Sequence, residues 1–139
     1  MRRSGRAGRS ARIRSRRRGS TRREAEHAAL IEGFRDACLA SDIAELARLL
    51  GPEVRVVVDS GGAEGAPGPA AGITAAVTLL RVALGAPAGL RLDLRSVNGR
   101  PGLLASRDGR PTAVVVVEGR RGLVEGVWLV TDAGKLRHW

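Results

Sequence analysis

The chain has 139 residues, of which 43% are hydrophobic, and a formal net charge of +10. This length and apolar content fit one domain with one core. Residues 1–23 hold eleven arginines and no acid, whereas the other 116 residues hold 13 basic and 14 acidic side chains. The high isoelectric point therefore describes the N-terminal segment, and the composition excludes a uniformly basic body.

Targeting signals and disulfides are not indicated. No run approaches the roughly 18 apolar residues of a membrane span, and the basic N-terminus lacks the apolar stretch of a secretory signal. The lone cysteine, Cys38, has no partner for an internal disulfide. This fits a reducing compartment, so we expect a cytoplasmic protein without a membrane contact.

Residues 1–20 are too polar and too alike in charge to fold alone, which predicts a disordered or partly helical basic tail. Thr21 and Glu24 have the spacing of a capping box and predict a helix start. Ile31, Phe34 and Cys38 then recur at helical spacing and form the apolar stripe of a first helix.

A second helix is predicted from Ser41-Asp42, which resembles an N-cap, to Gly51-Pro52, which stops a helix. A short strand follows over Val54 to Val58. The Gly- and Pro-rich residues 59–69 predict a loop. Ile73 to Leu84 returns to helical spacing, and this third helix ends before Gly85 and Pro87.

Four strands are predicted between Leu90 and Val130. Leu90, Leu92 and Leu94 alternate with charged residues and so share one strand face. Asp108-Gly109 lies between two apolar runs, which is a strong hairpin signal. Helices followed by strands indicate an α+β fold, with three helices on one face of a curved antiparallel sheet.

Few residues suggest chemistry. Neither histidine has further ligands at metal spacing, so we expect no metal and no cofactor. Asp59 and Asp132 lie at strand ends, where the mouths of pockets form, and each is a candidate general base. Asp36 and Asp93 fall on polar faces, where solvation is expected. Trp128 is either core filler or the wall of a small-molecule cavity.

The order of elements resembles the SnoaL-like, nuclear-transport-factor-2-like fold, a cone of curved sheet closed by helices. Over residues 24–139 the chain is more specifically similar to the C-terminal SnoaL-like domain of extracytoplasmic-function RNA polymerase sigma factors. That family has a Gly-rich loop after its first strand, matched by Asp59 to Ala63. Its Val-Asn-Gly-x-Pro-Gly-Leu motif is matched by Val97 to Leu103, and its final Asn-Pro-Asp-Lys-Leu by Thr131 to Leu136. The changes at Ala63, where the family has Lys, and at Gly134, where it has Pro, depart from that pattern.

The resemblance implies a regulatory domain that packs against the promoter-binding sigma regions and carries no established catalytic residue. The partners implied are sigma regions or RNA polymerase. The chain has no room for two sigma domains, so both a stand-alone protein and a piece of a longer sigma factor remain open. The ligand- or partner-binding residues that we expect are Asp59, Asn98, Trp128, Asp132 and Lys135.

Three further possibilities remain open. The first is an isomerase, cyclase or epoxide hydrolase of the same fold, acting on a small apolar ligand with Asp59 or Asp132 as base. The second is DNA binding by the basic tail, interpreted as the end of a promoter-reading helix-turn-helix region, through Arg12, Arg14, Arg16, Arg17 and Arg18. The third is a homodimer formed through an exposed sheet face.

Overall fold

The order of elements follows from alternating helical and strand periodicities. The computed structural model describes the backbone from Ser4 to Trp139 and the side chains from Thr21 onward. The helices are α1 (Ser4–Ala40), α2 (Ile43–Leu49), α3 (Ile73–Leu84) and α4 (Ala133–Leu136). The strands are β1 (Leu50–Asp59), β2 (Ala70–Ala71), β3 (Leu90–Val97), β4 (Arg100–Arg107), β5 (Arg110–Arg120) and β6 (Leu123–Val130). None of the described helices combines the length and the apolar character that crossing a bilayer requires.

All six strands form one sheet in the order β2-β1-β6-β5-β4-β3. Strands β3 to β6 form an antiparallel meander, as predicted. Strand β1, however, lies parallel to β6, so the prediction of a purely antiparallel sheet is wrong. The local sequence identifies a strand but does not identify which distant strand pairs with it. Strands β1 and β6 are the first and the last in the chain, so no local pattern links them.

One sheet face, here called the inner face, packs on α1, α2 and α3. Phe34 and Ile31 of α1 are fully buried against Val115 and Leu129 of the sheet. Leu92 lies in this core, whereas Leu94, two residues along the edge strand β3, is 45% exposed. The alternation therefore predicted correctly that these leucines share one face of the sheet, but the helices do not cover that face completely at the edge strand β3.

The other face, here called the outer face, carries a smaller apolar cluster. Val97, Leu104 and Val114 of the sheet are buried there together with Leu136 of α4. The short helix α4 thus covers part of the outer face, and it is a fourth helix that the periodicity did not predict.

Two predicted boundaries are wrong. Helix α1 runs through Thr21 without a break, so the Thr21–Glu24 spacing does not mark its start. Helix α2 ends at Leu49, and β1 begins at once with Leu50. Pro52 lies in the irregular part of β1, between the register positions of Leu50 and Arg55, where a missing N–H is tolerated.

The Gly- and Pro-rich loop, the third helix and the β4–β5 turn lie where the sequence predicts them. The loop over residues 60–69 and the third helix lie where predicted, and Gly85 with φ +76° ends that helix. Asp108 and Gly109 have φ of +50° and +76°, the left-handed pair that a tight primed hairpin turn requires.

Candidate functional site

Asp59 and Asp132 come together because β1 and β6 are parallel. The C-terminal ends of parallel strands meet at one end of a sheet, and Asp59 pairs in register with Val130. The Thr131 amide donates to the Asp59 carbonyl at 2.8 Å, which ties the two strand ends together. Residues more than 70 positions apart in sequence thus share one end of the outer face.

An ion pair dominates this end. The Lys135 Nζ lies 2.6 Å from Asp59 Oδ2, while the Gly61 amide donates to Asp59 Oδ1 at 3.1 Å. The Lys135 hydrogen bond, and after it the Gly61 amide, holds the pKa of the Asp59 carboxyl below its ordinary value. Asp59 in turn raises the pKa of Lys135. Both groups are charged at neutral pH.

Asp132 fixes the helix that presents Lys135. Its side chain caps α4 by accepting from the Gly134 amide at 3.3 Å. Gly61 approaches Asp132 so closely that a Cβ at this glycine would lie 2.6 Å from Asp132 Cγ. Asp59, Asp132 and Lys135 are called the polar patch below.

Trp128 lies on the outer face near the polar patch. It pairs in register with Val57 of β1 and with Val116 of β5, one alternation before the Asp59/Val130 pair. Its side chain is 49% exposed. The prediction that Trp128 fills the core is therefore wrong, because alternation from the buried Val127 and Leu129 turns it outward. Its role as the wall of a cavity stays a prediction.

Asn98 lies apart from the polar patch. It forms the β3–β4 turn with Gly99, at φ of +51° and +76°. The strand registers put this turn at the end of the sheet opposite Asp59. The predicted tail residues Arg12, Arg14, Arg16, Arg17 and Arg18 belong to α1, and their side chains lie outside the described residues.

One residue of this site was missed. The sequence predicts Gly61 only as part of the loop over residues 59–69, yet its φ of +69° and its approach to Asp132 make it a structural requirement of the polar patch. The Gly61-Gly62 pair directly after a strand end was the available signal, since turns that need positive φ favour glycine.

The chain matches no protein-family model and no curated protein. Solved structures are similar at the level of fold. A candidate ketosteroid isomerase from Kribbella flavida is 18% identical with a TM-score of 0.57, over 77% of this chain and 78% of that one. An NTF-2 like protein of unknown function from Burkholderia xenovorans is 18% identical with a TM-score of 0.59, over 79% and 85%.

The third neighbour is the extracytoplasmic function sigma factor SigJ of Mycobacterium tuberculosis. It is 22% identical with a TM-score of 0.62, over 94% of this chain and 50% of the sigma factor. The fold is SnoaL-like, that is, NTF2-like. This chain spans half the length of that sigma factor.

Within this SnoaL-like fold described residues line several clefts around the helices. One, of about 390 Å³, lies between α2 and α3 and includes Ile43, Leu46 and Arg81. A second, of about 380 Å³, lies between α1 and the β3–β4 hairpin. A third, of about 140 Å³, lies between α1 and the β5–β6 turn. None of these cavities includes Asp59, Trp128 or Asp132.

The outer face combines charged groups and an aromatic side chain at one end of the sheet. A paired aspartate with a lowered pKa is a poor proton acceptor, whereas paired charges beside an exposed indole offer directional and apolar contacts at once. Cys38 contributes no nucleophile, because burial raises the pKa of its thiol to about 12.

Proposed function

We propose that this chain is a non-enzymatic interaction module of the sigma-factor type, which regulates transcription by binding sigma regions or RNA polymerase. The observation that carries the proposal is the exposed Trp128 beside the Asp59–Lys135 ion pair on the outer face. Protein interfaces commonly centre on a buried aromatic residue with charged groups around it. Trp128 supplies the apolar contact, and the polar patch sets the orientation of the partner.

The extent of the match to SigJ supports this reading. Coverage of 94% of 139 residues leaves about eight unmatched, whereas coverage of 77% leaves about 32. The SigJ match must therefore include most of residues 1–23, and the isomerase match need not. This wider coverage supports the sigma-factor proposal over the isomerase alternative.

DNA is the second partner proposed, through the arginines of the tail. Arg12, Arg14 and Arg16 to Arg18 carry guanidinium groups suited to bidentate phosphate contacts. The acid-free composition of residues 1–23 favours binding that depends on charge and not on base sequence.

The alternative function is an isomerase, cyclase or epoxide hydrolase. Two of the similar structures are candidate isomerases, from Kribbella flavida and Bacillus subtilis. A general base in such an enzyme needs a carboxylate of raised pKa in an apolar cavity. Asp59 has a lowered pKa, and the chain contains no tyrosine to act as an electrophilic partner. These observations favour the interaction module.

The test uses the half of SigJ that this chain does not match, together with polymerase core, as immobilised probes. We expect the wild-type chain to bind at least one of them. Trp128→Ala is expected to weaken binding about tenfold or more, the loss typical of a central aromatic contact. Asp132→Ala is expected to weaken it as well, because Lys135 loses the cap that orients α4.

The matched control is Val82→Ala, which truncates a side chain that is 65% exposed on α3. It should bind as the wild type does. Absence of binding to both probes, or equal binding by Trp128→Ala, Asp132→Ala and Val82→Ala, would contradict the proposed function. Turnover of a ketosteroid that Asp59→Asn abolishes would favour the enzyme instead.

A further inference from the structure

A second charged surface lies at the end of the sheet opposite the polar patch. Helix α1 meets the β5–β6 turn there, and the two elements enclose a cleft of about 140 Å³. From α1 the cleft is lined by Arg23, Glu26, His27 and Leu30, and from the turn by residues 119–122. Three of these eight residues are arginines, against one acid.

The turn is held firmly against the helix. The pairing register of β5 with β6 shifts between Glu118 and Gly119. A Cβ added at Gly119 would lie 2.6 Å from Leu30 Cδ2 and 3.4 Å from His27 Nδ1. A side chain at position 119 would therefore have to displace the end of the Leu30 side chain. Leu30 is 8% exposed at this contact. The position of the turn arginines relative to α1 is thus fixed by packing.

The arginines of this surface are available to an external anion. Arg23, Arg120 and Arg121 are exposed, and none of the five ion pairs between described side chains includes them. Arg121 and Gly122 have φ of +56° and +75°, the pair of left-handed conformations that a tight primed hairpin turn requires.

This surface continues the basic segment of the chain. Upstream of Arg23, helix α1 extends to Ser4. At 1.5 Å per residue, those twenty residues span about 30 Å, close to the roughly 34 Å of one turn of duplex DNA. The turn with Arg120 and Arg121 therefore lies beside Arg23, at the C-terminal end of the Arg-rich segment of residues 1–23.

We propose that the β5–β6 turn, with Arg120 and Arg121, extends the basic segment of α1 into one binding surface for the phosphate backbone of duplex DNA. The inference rests on the DNA contact proposed for the tail and adds a site in the folded body. Binding is independent of base sequence, because no element of this surface is shaped to read base edges. The turn adds about two phosphate contacts.

The test is the salt dependence of binding to a fluorescent 30-base-pair duplex, measured by anisotropy on the full chain. The variant Arg120→Gln/Arg121→Asn removes both turn charges and keeps a residue type that tolerates positive φ at position 121. We expect the slope of log K against log salt to become shallower by about 1.8. Affinity at 0.15 M salt should then fall roughly thirtyfold.

The matched control is Arg110→Gln/Arg137→Gln. It removes the same two charges from exposed positions at the other end of the sheet. Its slope should stay near that of the wild type. A third variant, Arg12→Gln/Arg14→Gln/Arg16→Gln, tests the tail contact separately.

The outcomes separate the two proposals. If the turn variant and its control behave alike while the tail variant weakens binding, the turn site is overturned and the tail contact stands. If the wild type does not bind duplex, both are overturned, whereas the pull-down with sigma regions is unaffected. Equal affinity of the wild type for polyglutamate of the same charge would overturn the assignment to nucleic-acid phosphate.

Discussion

At the scale of single residues, the polar patch depends on two hydrogen bonds between residues close in sequence, which support one ion pair between residues far apart in sequence. The Gly61 amide and the Asp132 cap each fix a strand end, and the Asp59–Lys135 pair then joins them at 2.6 Å. Because α4 has only four residues, it has little stability of its own. Its position therefore depends on the cap, on the ion pair and on the burial of Leu136.

Gly61 offers the most direct test of this arrangement. In Gly61→Ala the new Cβ would lie 2.6 to 2.9 Å from the Asp132 carboxyl group, at a φ of +69°. We expect the free energy of unfolding to fall by about 1–2 kcal/mol from the backbone conformation and by about 1–3 kcal/mol more from the displaced Asp132. Urea denaturation followed by tryptophan fluorescence measures both.

Gly62→Ala is its matched control. Gly62 has a φ of +83° but no atom within 4 Å of a new Cβ, so only the backbone cost applies. Equal losses in the two variants would show that Asp132 does not need its present position.

The ion pair should make stability depend on pH. The pKa of Asp59 is lowered from 3.8 and that of Lys135 is raised from 10.5. The pair therefore contributes stability in full between these two values. The contribution is lost as the pH falls through the folded-state pKa of Asp59, or rises through that of Lys135.

Lys135→Gln should accordingly be less stable than the wild type at pH 7, and the difference should shrink as the pH falls through the folded-state pKa of Asp59, which lies below 3.8. Thermal unfolding from neutral to acidic pH is the measurement. Arg137→Gln removes an exposed charge two residues away and should show no such pH dependence. A Lys135→Gln difference that stays constant over the whole acidic range would mean that the side chain acts through packing instead of charge.

At the scale of elements, the local patterns predicted most of the strands and missed their long-range pairing. Four strands lie between Leu90 and Val130 as predicted, and Asp108-Gly109 forms its predicted turn, because strand alternation and turn chemistry are local. The parallel pairing of β1 with β6 leaves no local signal. Sequence analysis could therefore identify Asp59, Asp132 and Lys135 as a group only through the resemblance to sigma-factor domains.

The face of the sheet that Trp128 occupies is another feature that the local sequence does not determine. A β-bulge shifts the pairing between Glu118 and Gly119, so counting alternation from the start of β6 does not settle which face each residue occupies. The burial of Val127 and Leu129 assigns Trp128 to the outer face. Only the structure provides that burial.

The β3–β4 hairpin carries an element-level prediction. A Cβ at Gly102 would lie 2.7 Å from the Val115 carbonyl oxygen and 2.8 Å from Val97 Cγ2. The first of these contacts is with backbone, which cannot rotate away. We expect Gly102→Ala to lower the free energy of unfolding by about 1–3 kcal/mol, as overpacking does, measured by urea denaturation.

Gly68→Ala is the control for this change, since that loop glycine has open space around its Cβ position and no positive φ. It should leave stability unchanged or raise it slightly by restricting the unfolded chain. A Gly102→Ala protein as stable as Gly68→Ala would show that β4 and β5 separate at little cost.

At the scale of the whole molecule, charge and core are segregated along α1. The eleven arginines of residues 1–23 all precede Glu24, whereas the buried core residues in the described part of α1 begin at Leu30. Helix α1 thus contains an Arg-rich N-terminal part and a C-terminal part whose apolar face packs on the inner face of the sheet. This arrangement predicts that binding and folding can be separated by truncation.

Deleting residues 1–20 removes nine arginines and changes the net charge from +10 to +1. We expect the free energy of unfolding to change by less than about 0.5 kcal/mol, as for changes away from the core, while retention on heparin is lost. Deleting residues 1–33 instead removes Leu30 and Ile31, which are 8% and 0% exposed, and should abolish the cooperative transition. A loss of more than about 2 kcal/mol in the shorter deletion would mean that the basic half of α1 belongs to the folded domain, and that the boundary near residue 23 is misplaced.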